Sequence, residues 1–213
     1  GWADMLYRLG VPYDSERALA LARTLMRFVR DEAWKASQEL ARERGPFPNY
    51  KKSAWAGRHA YFAAPAPMRN ALVTTVAPTG TISILAGCSA GIEPLYSLAF
   101  VRQILDGEKL LEVHPYFQEV AGRERFATPD LVERLLREGT CRGIPEIPAR
   151  WREIFACAHD VPPEGHLRMQ AAFQESVDNA VSKTVNLPAG ATPDDARRVF
   201  ELAIDLGVKG VTL

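Results

Sequence analysis

The stretch that decides the fold is Val181-Ser-Lys-Thr-Val-Asn-Leu-Pro188, followed by a segment from Pro193 to Leu206 and by Val208-Lys-Gly-Val-Thr-Leu213. The first part alternates like a strand, and the last part resembles a second strand. The middle part begins after Thr192, with a proline at the first helical position, and has the pattern of a helix. Strand, helix and strand in this order predict a βαβ unit, with a parallel strand pair and a right-handed crossover. The sequence therefore predicts an α/β fold.

The residues before this unit extend the same pattern. Asn70-Ala-Leu-Val-Thr-Thr-Val-Ala77 is a short, apolar, β-branched segment that stops at a proline, which is typical of a buried strand. Between residues 47 and 68 the chain has little periodicity, and we expect an ordered surface excursion in which Tyr50, Trp55 and Tyr61 pack. Three more helices are predicted after turn or capping residues, at Leu131 to Arg137, Pro148 to Ala158 and Glu164 to Val177.

A long amphipathic helix is predicted from Asp14 or Ser15 to about Arg44. Either side chain can cap the first amides, and Gly45-Pro46 ends the helix with a flexible residue followed by one that lacks an N–H. We expect one apolar stripe of this helix to face the core. The stripe consists of Ala18, Leu21, Leu25, Phe28, Val29, Ala33, Ala36 and Leu40.

Composition limits the classes of function. The 213 residues are 47% hydrophobic, with 26 basic and 26 acidic side chains and a formal net charge of zero. A neutral chain has no electrostatic footprint for nucleic acid or an anionic membrane, and no apolar run approaches the roughly 20 residues of a membrane helix. Three cysteines without CxxC spacing fit reduced thiols in a cytoplasmic protein. One partial domain over residues 1–213, truncated at both ends, is expected, because the chain starts without Met and stops within a predicted strand.

The loop after the buried strand is the first candidate site. Ala77-Pro-Thr-Gly-Thr-Ile-Ser83 is a small, hydroxyl-rich turn that opens a short apolar helix, Ile84-Leu-Ala86. Free amides at a helix N-terminus and the three hydroxyl groups of the loop can donate to phosphate oxygens, and the glycine lets the backbone come close. The loop lacks the glycine patterns of P-loops and of dinucleotide-binding folds. From the residues alone, phosphate binding and plain helix capping stay equally open.

A second glycine-rich turn follows at once, Gly87-Cys-Ser-Ala-Gly-Ile-Glu-Pro94. We interpret Glu93 as a buried carboxylate that accepts hydrogen bonds from nearby amides, rather than as a catalytic acid. We interpret Cys88 as a buried small hydrophobic residue, because no basic neighbour in the sequence would activate its thiol. Lys183 is ambiguous, since a strand lysine usually points to solvent and only sometimes into a site.

The remaining candidates are interpreted as structural. His159, Asp160 and His166 could bind a metal or relay protons, but their spacing argues weakly for it, and we expect a helix cap from Asp160 and packed or surface histidines. Cys141 and Cys157 are also interpreted as structural. There is no Ser-His-Asp order, HExxH helix or paired-carboxylate motif, so the residues predict neither a metal site nor a catalytic group in this chain.

Several segments, taken together and in this order, resemble one enzyme family. The longest runs from Asn70 to Pro94. The others are Trp2-Ala-Asp-Met-Leu6, Leu9-Gly-Val-Pro-Tyr13, Glu43-Arg-Gly-Pro-Phe-Pro48, Ala158-His-Asp160, His166-Leu-Arg-Met-Gln-Ala-Ala-Phe-Gln174, Asp178-Asn-Ala-Val-Ser-Lys-Thr-Val-Asn-Leu-Pro188 and Lys209-Gly-Val-Thr212. They are similar to the adenosylcobalamin-dependent (class II) ribonucleotide reductases, and the resemblance covers essentially the whole chain.

The resemblance implies the C-terminal half of a ten-stranded α/β barrel in a ribonucleoside-diphosphate reductase. Such an enzyme makes 2′-deoxyribonucleotides for DNA synthesis by thiyl-radical chemistry, although the residues do not distinguish diphosphate from triphosphate substrates. The implied cofactor is adenosylcobalamin, with its cobalt. The implied partners are the ribonucleotide substrate and a thioredoxin-like reductant. The oligomeric state, including a homodimer, stays open. By position, the residues that hold the substrate phosphates are Pro78, Thr79, Gly80, Thr81, Ile82 and Ser83.

The resemblance also implies parts that this sequence does not contain. In the family, the radical cysteine of an Asn-x-Cys-x-Glu loop and a reducing cysteine pair precede the segment that begins here at Gly1. The three cysteines of this chain match neither, and the C-terminal cysteines that follow Thr212 in the family are missing too. We therefore expect the isolated chain to be inactive. Two alternatives stay open: a stand-alone nucleotide-binding or regulatory module without catalysis, and a fragment of a metal-radical class I large subunit.

Overall fold

Residues 1–57, 66–103 and 109–213 are described by the computed structural model, and this part of the chain contains eight α-helices and one β-hairpin. The hairpin pairs β1 (Ala99–Gln103) with β2 (Lys109–Val113) in antiparallel order. The helices are α1 (Trp2–Leu9), α2 (Glu16–Arg44), α3 (Gly80–Ala86), α4 (Pro115–Arg123), α5 (Leu131–Glu138), α6 (Ala149–Ile154), α7 (Pro163–Gln174) and α8 (Pro193–Asp205). Single 3-10 turns lie at Tyr50–Lys52, Ala54–Ala56 and Ala158–Asp160.

The predicted helices are confirmed, with small shifts at their ends. Ser15 caps α2, because its hydroxyl accepts the Ala18 amide at 3.2 Å, and α2 ends at Gly45. Thr192 caps α8 by accepting the Asp195 amide. The α6 helix ends at Ile154, before the predicted end at Ala158. A separate 3-10 turn begins at Ala158.

The predicted apolar stripe of α2 is wrong, because most of the buried positions lie one residue later in the sequence than the predicted ones. The buried residues of α2 are Ala18, Leu19, Ala22, Met26, Trp34, Ser37 and Ala41. Leu25, Phe28 and Val29 of the predicted stripe are exposed instead. One residue is 100° around a helix, so a shift of one position turns a different face toward the core. The face chosen is rich in alanine, which lets α2 lie close to α7.

The three predicted strands are reduced to single parallel bridges, Val76 with Val181 and Thr184 with Thr212. The parallel pairing of the βαβ unit is thereby confirmed, but no long ladder forms in the described residues. Side chains take some of the backbone groups that a ladder would use. The Asp178 carboxylate accepts the Val73 amide at 2.8 Å.

Glutamine side chains of α7 replace more of the ladder. Gln170 donates to the carbonyls of Val181 (3.1 Å) and Gly210 (2.7 Å), and Gln174 donates to Gly207 while accepting the Lys209 amide. These bonds fix α7 across the strand segments. Met169, Ala172 and Phe173 of α7 also pack with α1 and α2 in one apolar cluster. A second cluster joins α4, α5 and α6 around Phe155.

The excursion after α2 packs as expected where it is described. Trp55 is buried, meets Trp34 edge-on at 5.3 Å between ring centroids, and donates to the Ala71 carbonyl. Tyr50 packs against Phe47, whereas Tyr61 lies outside the described residues. Across residues 1–57, 66–103 and 109–213, none of the helices has the length and apolar character of a membrane span.

Candidate functional site

The Pro78–Ser83 loop (residues 78–83) lies at the protein surface. Its first five residues are exposed, and only Ser83 is buried. Thr79 is the N-cap of α3, but its side chain makes no capping bond to the helix. Within the described residues, the amides of Gly80, Thr81 and Ile82 donate to no protein acceptor. Three adjacent N–H groups are therefore available to an anion at the N-terminal end of α3.

Thr79 has a backbone conformation that is rare for a residue with a side chain. Its φ is 51° and its ψ is 26°, in the left-handed region. Non-glycine residues persist there only when their surroundings hold them. The hydroxyl of Thr79 accepts the Gly91 amide at 3.0 Å, and this bond ties the loop to the next turn of the chain.

Ser83 points inward and does not face the open amides. Its hydroxyl donates to the Gly80 carbonyl at 2.7 Å, and its backbone carbonyl accepts the Cys88 amide at 3.0 Å. The side chain therefore shapes the first turn of α3. Ile82, Ile84 and Leu85 on the same helix are exposed, so α3 lies on the molecular surface.

The Gly87–Pro94 loop (residues 87–94) is held to the protein at most of its positions. The Ser89 amide donates to the Asp4 carboxylate at 2.6 Å, and the other oxygen of Asp4 lies 2.8 Å from His114 Nε2. Burial opposes ionisation of Asp4, but the hydrogen bonds from His114 and Ser89 hold its pKa well below the usual range. The Ile92 carbonyl accepts the Tyr13 hydroxyl at 2.7 Å.

Gly91 sits where a side chain does not fit. Its φ is +50°, and a Cβ atom there would lie 3.2 Å from the Ala77 carbonyl oxygen. The close approach brings the Gly87–Pro94 loop against the start of the Pro78–Ser83 loop. The two glycine-rich turns, which sequence reasoning treated separately, are therefore one packed unit.

Lys183 is the buried charge beneath this unit. Its side chain is fully buried, and its ammonium donates to Glu93 Oε2 at 2.6 Å, to His166 Nδ1 at 2.8 Å and to the Thr184 carbonyl at 3.1 Å. The second oxygen of Glu93 accepts the Thr184 amide at 2.7 Å. All three donors of the ammonium are used, and Glu93 joins the Gly87–Pro94 loop to the central strand segment.

The ionisation states around Lys183 follow from its burial. Burial lowers the pKa of Lys183, while the Glu93 carboxylate raises it and favours the charged form. Burial, followed by the charge of Lys183, lowers the pKa of His166 to about 3. His166 is therefore neutral and accepts from Lys183 at Nδ1, which leaves its Nε2–H to donate to the Ala158 carbonyl at 3.0 Å.

The structural interpretation of the histidine segment is confirmed, whereas that of Glu93 is confirmed only in its amide contact, because 30% of the Glu93 side chain is exposed. Glu93 accepts an amide as predicted, although the sequence did not reveal its ion pair with Lys183. Asp160 caps a 3-10 turn by accepting the Cys157 amide at 2.8 Å. His166 is packed, and His159 is exposed with its ring 5.4 Å from that of Tyr96.

Two of the three cysteines are buried, as interpreted from the sequence. Burial, together with the charge of Asp160, raises the pKa of the Cys141 thiol to about 12, and burial likewise raises the pKa of Cys157. The interpretation of Cys88 is wrong, because this residue is exposed. It lies between the turn glycine Gly87 and the tethered Ser89, and the turn directs its side chain outward. Within the described ranges, no group of three or more His, Cys, Asp or Glu residues could hold a metal ion.

The fold matches that of a solved reductase. The class Id ribonucleotide reductase alpha subunit of Actinobacillus ureae superposes with a TM-score of 0.81 and 20% sequence identity. The match covers 100% of this chain and 36% of the subunit. The family model described as the ribonucleotide reductase barrel domain matches residues 1–213. The chain therefore belongs to the ribonucleotide reductase barrel-domain family, and it is an α/β fragment of that barrel.

Two named relatives have a higher sequence identity to this chain than the solved structure has. A vitamin B12-dependent ribonucleoside-diphosphate reductase of Mycobacterium tuberculosis (strain CDC 1551 / Oshkosh) is 48% identical over 213 residues. A protein of the same name from Thermoplasma acidophilum is 43% identical over 213 residues. Both alignments cover all of this chain, but only 30% and 27% of the respective relatives. The chain thus spans less than a third of the length of these reductases.

Proposed function

We propose that this chain is the phosphate-binding part of a ribonucleoside-diphosphate reductase, in which residues 1–213 form one partial domain of the barrel. The observation that carries the proposal is the set of three unpaired amides at Gly80, Thr81 and Ile82, exposed at the start of α3. Family membership supplies the ligand class, since the relatives at 43–48% identity are named as ribonucleoside-diphosphate reductases. The substrate anion is accordingly a diphosphate.

The loop binds by backbone geometry rather than by charge. The amides of residues 80–82 donate to phosphate oxygens, and the hydroxyl hydrogens of Thr79 and Thr81 add donors beside them. Pro78 ends the strand segment, and Ser83 holds the Gly80 carbonyl so that the amides stay outward. Clamping the phosphates fixes the ribose relative to the reacting groups, and a misplacement of about 1 Å costs on the order of a hundredfold in rate.

The radical and redox chemistry belongs to residues outside this chain. Cys141 and Cys157 are buried, and the thiol of Cys141 has a pKa raised to about 12, so neither provides a thiolate near neutral pH. Cys88 is exposed, but by the family resemblance it matches neither the radical cysteine nor the reducing pair. We propose that the thiyl radical, the reducing cysteines and the contact with a thioredoxin-like reductant lie elsewhere in the polypeptide. A cytoplasmic location, which the free cysteines fit, and a homodimer complete the proposal.

Adenosylcobalamin is the cofactor we propose for the complete enzyme, because the relatives are named vitamin B12-dependent. Two surface cavities among the described residues, of about 290 and 230 Å³, are too small to hold it. Cavities that enclose even drug-sized ligands span about 300–1,000 Å³, and a corrin ring is larger than such ligands. No residue of the described ranges is therefore assigned to the cofactor.

The test compares nucleotides with nucleosides in the complete polypeptide that carries this chain. Gly80→Ala places a methyl group beside the open amides, in space where no atom lies within 4 Å. We expect the KM for a ribonucleoside diphosphate to rise at least about tenfold, while the weak binding of the unphosphorylated ribonucleoside stays unchanged. Equal loss for both ligands, or no loss for either, would contradict the proposal. Leu136→Ala, an exposed change on α5, is the matched control and leaves both unchanged.

A further inference from the structure

A continuous chain of contacts runs from the buried Lys183 to the open amides. The Lys183 ammonium donates to the Glu93 carboxylate at 2.6 Å, and this carboxylate also accepts a hydrogen bond from the Thr184 amide. Two residues before Glu93, Gly91 donates its amide to the Thr79 hydroxyl at 3.0 Å. Thr79 in turn has the left-handed conformation that begins α3. Each step is a specific hydrogen bond or a chain neighbour, so a displacement of Glu93 reaches the Pro78–Ser83 loop.

The base of this chain of contacts is rigid. The Lys183 ammonium is surrounded by Glu93, His166 and the Thr184 carbonyl, with the Tyr13 ring at 5.7 Å. The Tyr13 hydroxyl also holds the Ile92 carbonyl. A buried charge whose three donors are all used has one favourable position, because any shift leaves a donor unpaired. Because Glu93 belongs to the Gly87–Pro94 loop and is bound to this ammonium, the ammonium fixes the position of the loop.

We infer that Lys183 and Glu93 are a positioning pair: through the hydrogen bond between Gly91 and Thr79, they set where the Pro78–Ser83 loop presents its amides to the substrate phosphates. The inference rests on the proposed function of that loop. Neither residue of the pair touches the phosphates. No protein acceptor in the described residues holds the exposed amides, and the bonds of Ser83 to Gly80 and Thr79 fix only their arrangement within the first turn of α3. We infer that the position of that turn relative to the rest of the protein comes from the neighbouring loop.

The test measures KM, kcat and melting temperature in the complete reductase with a ribonucleoside diphosphate. Glu93→Gln keeps an oxygen for the Thr184 amide but weakens the bond to Lys183. Thr79→Val removes the acceptor of the Gly91 amide together with one proposed phosphate donor, and Thr81→Val, which removes only a proposed donor, is its control. We expect Glu93→Gln and Thr79→Val each to raise KM about fivefold to tenfold, with kcat changed less than about threefold. Because both act on one connection, the double variant should exceed the larger single effect by less than about twofold.

Asp160→Asn is the control for a purely structural loss. Asp160 is a buried carboxylate that accepts the Thr140 hydroxyl and the Cys157 amide, and it has no contact with either loop. We expect this change to lower the melting temperature and leave KM unchanged. If Glu93→Gln behaved in the same way, the pair would serve stability alone and the inference would be wrong.

The double variant Lys183→Met/Glu93→Gln separates position from stability. It removes both charges at similar volume, so no buried ion is left unpaired, and the melting temperature should return close to that of the unchanged enzyme. The bond between Nζ and Oε2 stays lost, so KM should remain raised. A KM that recovers together with the melting temperature would overturn the inference. This variant also carries the test if Glu93→Gln alone fails to fold.

Failure of the inference is distinguishable from failure of the proposed function. If Gly80→Ala and Thr79→Val raise KM for the diphosphate but neither variant of the Lys183–Glu93 pair does, the loop binds phosphate without the pair. If none of these changes affects the diphosphate more than the nucleoside, the proposed function itself is wrong.

Discussion

Two glycine-rich turns follow each other in this chain, and they use their backbone groups in opposite ways. In the Gly87–Pro94 loop, the amides of Ser89 and Gly91 are bound by side chains, and Glu93 is fixed by Lys183. In the Pro78–Ser83 loop, three consecutive amides are exposed and unpaired within the described residues. Similar composition therefore produces a scaffold in one turn and an open site in the other. The difference lies in the partners that distant segments bring to each turn.

The largest expected effect comes from removing the ion pair between Lys183 and Glu93, which holds the Gly87–Pro94 loop. Glu93→Ala leaves the Lys183 ammonium buried without a carboxylate, and we expect the free energy of unfolding to fall by about 3 kcal/mol. Urea denaturation followed by tryptophan fluorescence measures the change. Arg23→Ala removes an ion pair whose partners are 39% and 50% exposed, and should cost less than about 1 kcal/mol. Equal losses for the two variants would contradict a difference between buried and exposed pairs.

A matched pair of glycine substitutions tests the two turns directly. Gly91→Ala forces a left-handed conformation on alanine and places Cβ 3.2 Å from the Ala77 carbonyl oxygen, so we expect a loss of about 2 kcal/mol. Gly80→Ala meets no atom within 4 Å and has no positive φ. It should leave stability unchanged or raise it by up to about 1 kcal/mol. Thermal or urea unfolding measures both variants. A larger loss of stability for Gly80→Ala than for Gly91→Ala would contradict the comparison.

The pH dependence of stability reports on the base of the scaffold. His166 has a pKa of about 3 in the folded chain, against an ordinary value of 6.5, so the unfolded chain binds more protons between these limits. Stability therefore falls as the pH is lowered through 6.5. Linkage gives a loss of about 1 kcal/mol from this residue between pH 6.5 and 5.5. His166→Gln should remove that part of the slope, and an unchanged slope in urea denaturation would show that His166 does not resist protonation.

The smallest expected effects separate the threonines of the open loop. Thr79→Val removes the acceptor of the Gly91 amide and should cost about 1 kcal/mol. Thr81 is exposed and its hydroxyl binds nothing in the described residues, so Thr81→Val should change stability by less than about 0.5 kcal/mol. Differential scanning calorimetry of the two variants measures the contrast. A larger effect at Thr81 would show that the hydrogen bond between Gly91 and Thr79 does not connect the two turns as proposed.

Local patterns predicted the helices well, because caps and punctuating residues act over a few positions. Ser15, Thr192 and Gly45 mark helix ends where the structure has them. The buried face of α2 was predicted wrongly, since the apolar residues Leu25, Phe28 and Val29 suggest one face and small residues that fit α7 determine another. Strand lengths were overestimated for a similar reason. Distant carboxylates and glutamines capture backbone groups, and a local pattern contains no sign of them.

The candidate loop could be located from its residues, but its support could not. A proline-terminated strand followed by Thr79-Gly80-Thr81 indicates an open helix start. The partners that fix the adjoining Gly87–Pro94 loop come from positions far apart in the chain: Asp4 and Lys183 lie 85 and 90 residues from Ser89 and Glu93, which they hold. The one available signal for Lys183 was its place between Ser182 and Thr184 in a predicted strand, which is compatible with either direction of its side chain.

Amide hydrogen exchange at the Pro78–Ser83 loop is the measurement that tests the central claim most directly. The complete polypeptide is exchanged alone, with a ribonucleoside and with the corresponding ribonucleoside diphosphate. We predict that the diphosphate slows exchange at Gly80, Thr81 and Ile82, while the nucleoside does not, and that the bound amides of the Gly87–Pro94 loop exchange slowly throughout. Fast exchange at all three amides under saturating diphosphate would contradict it.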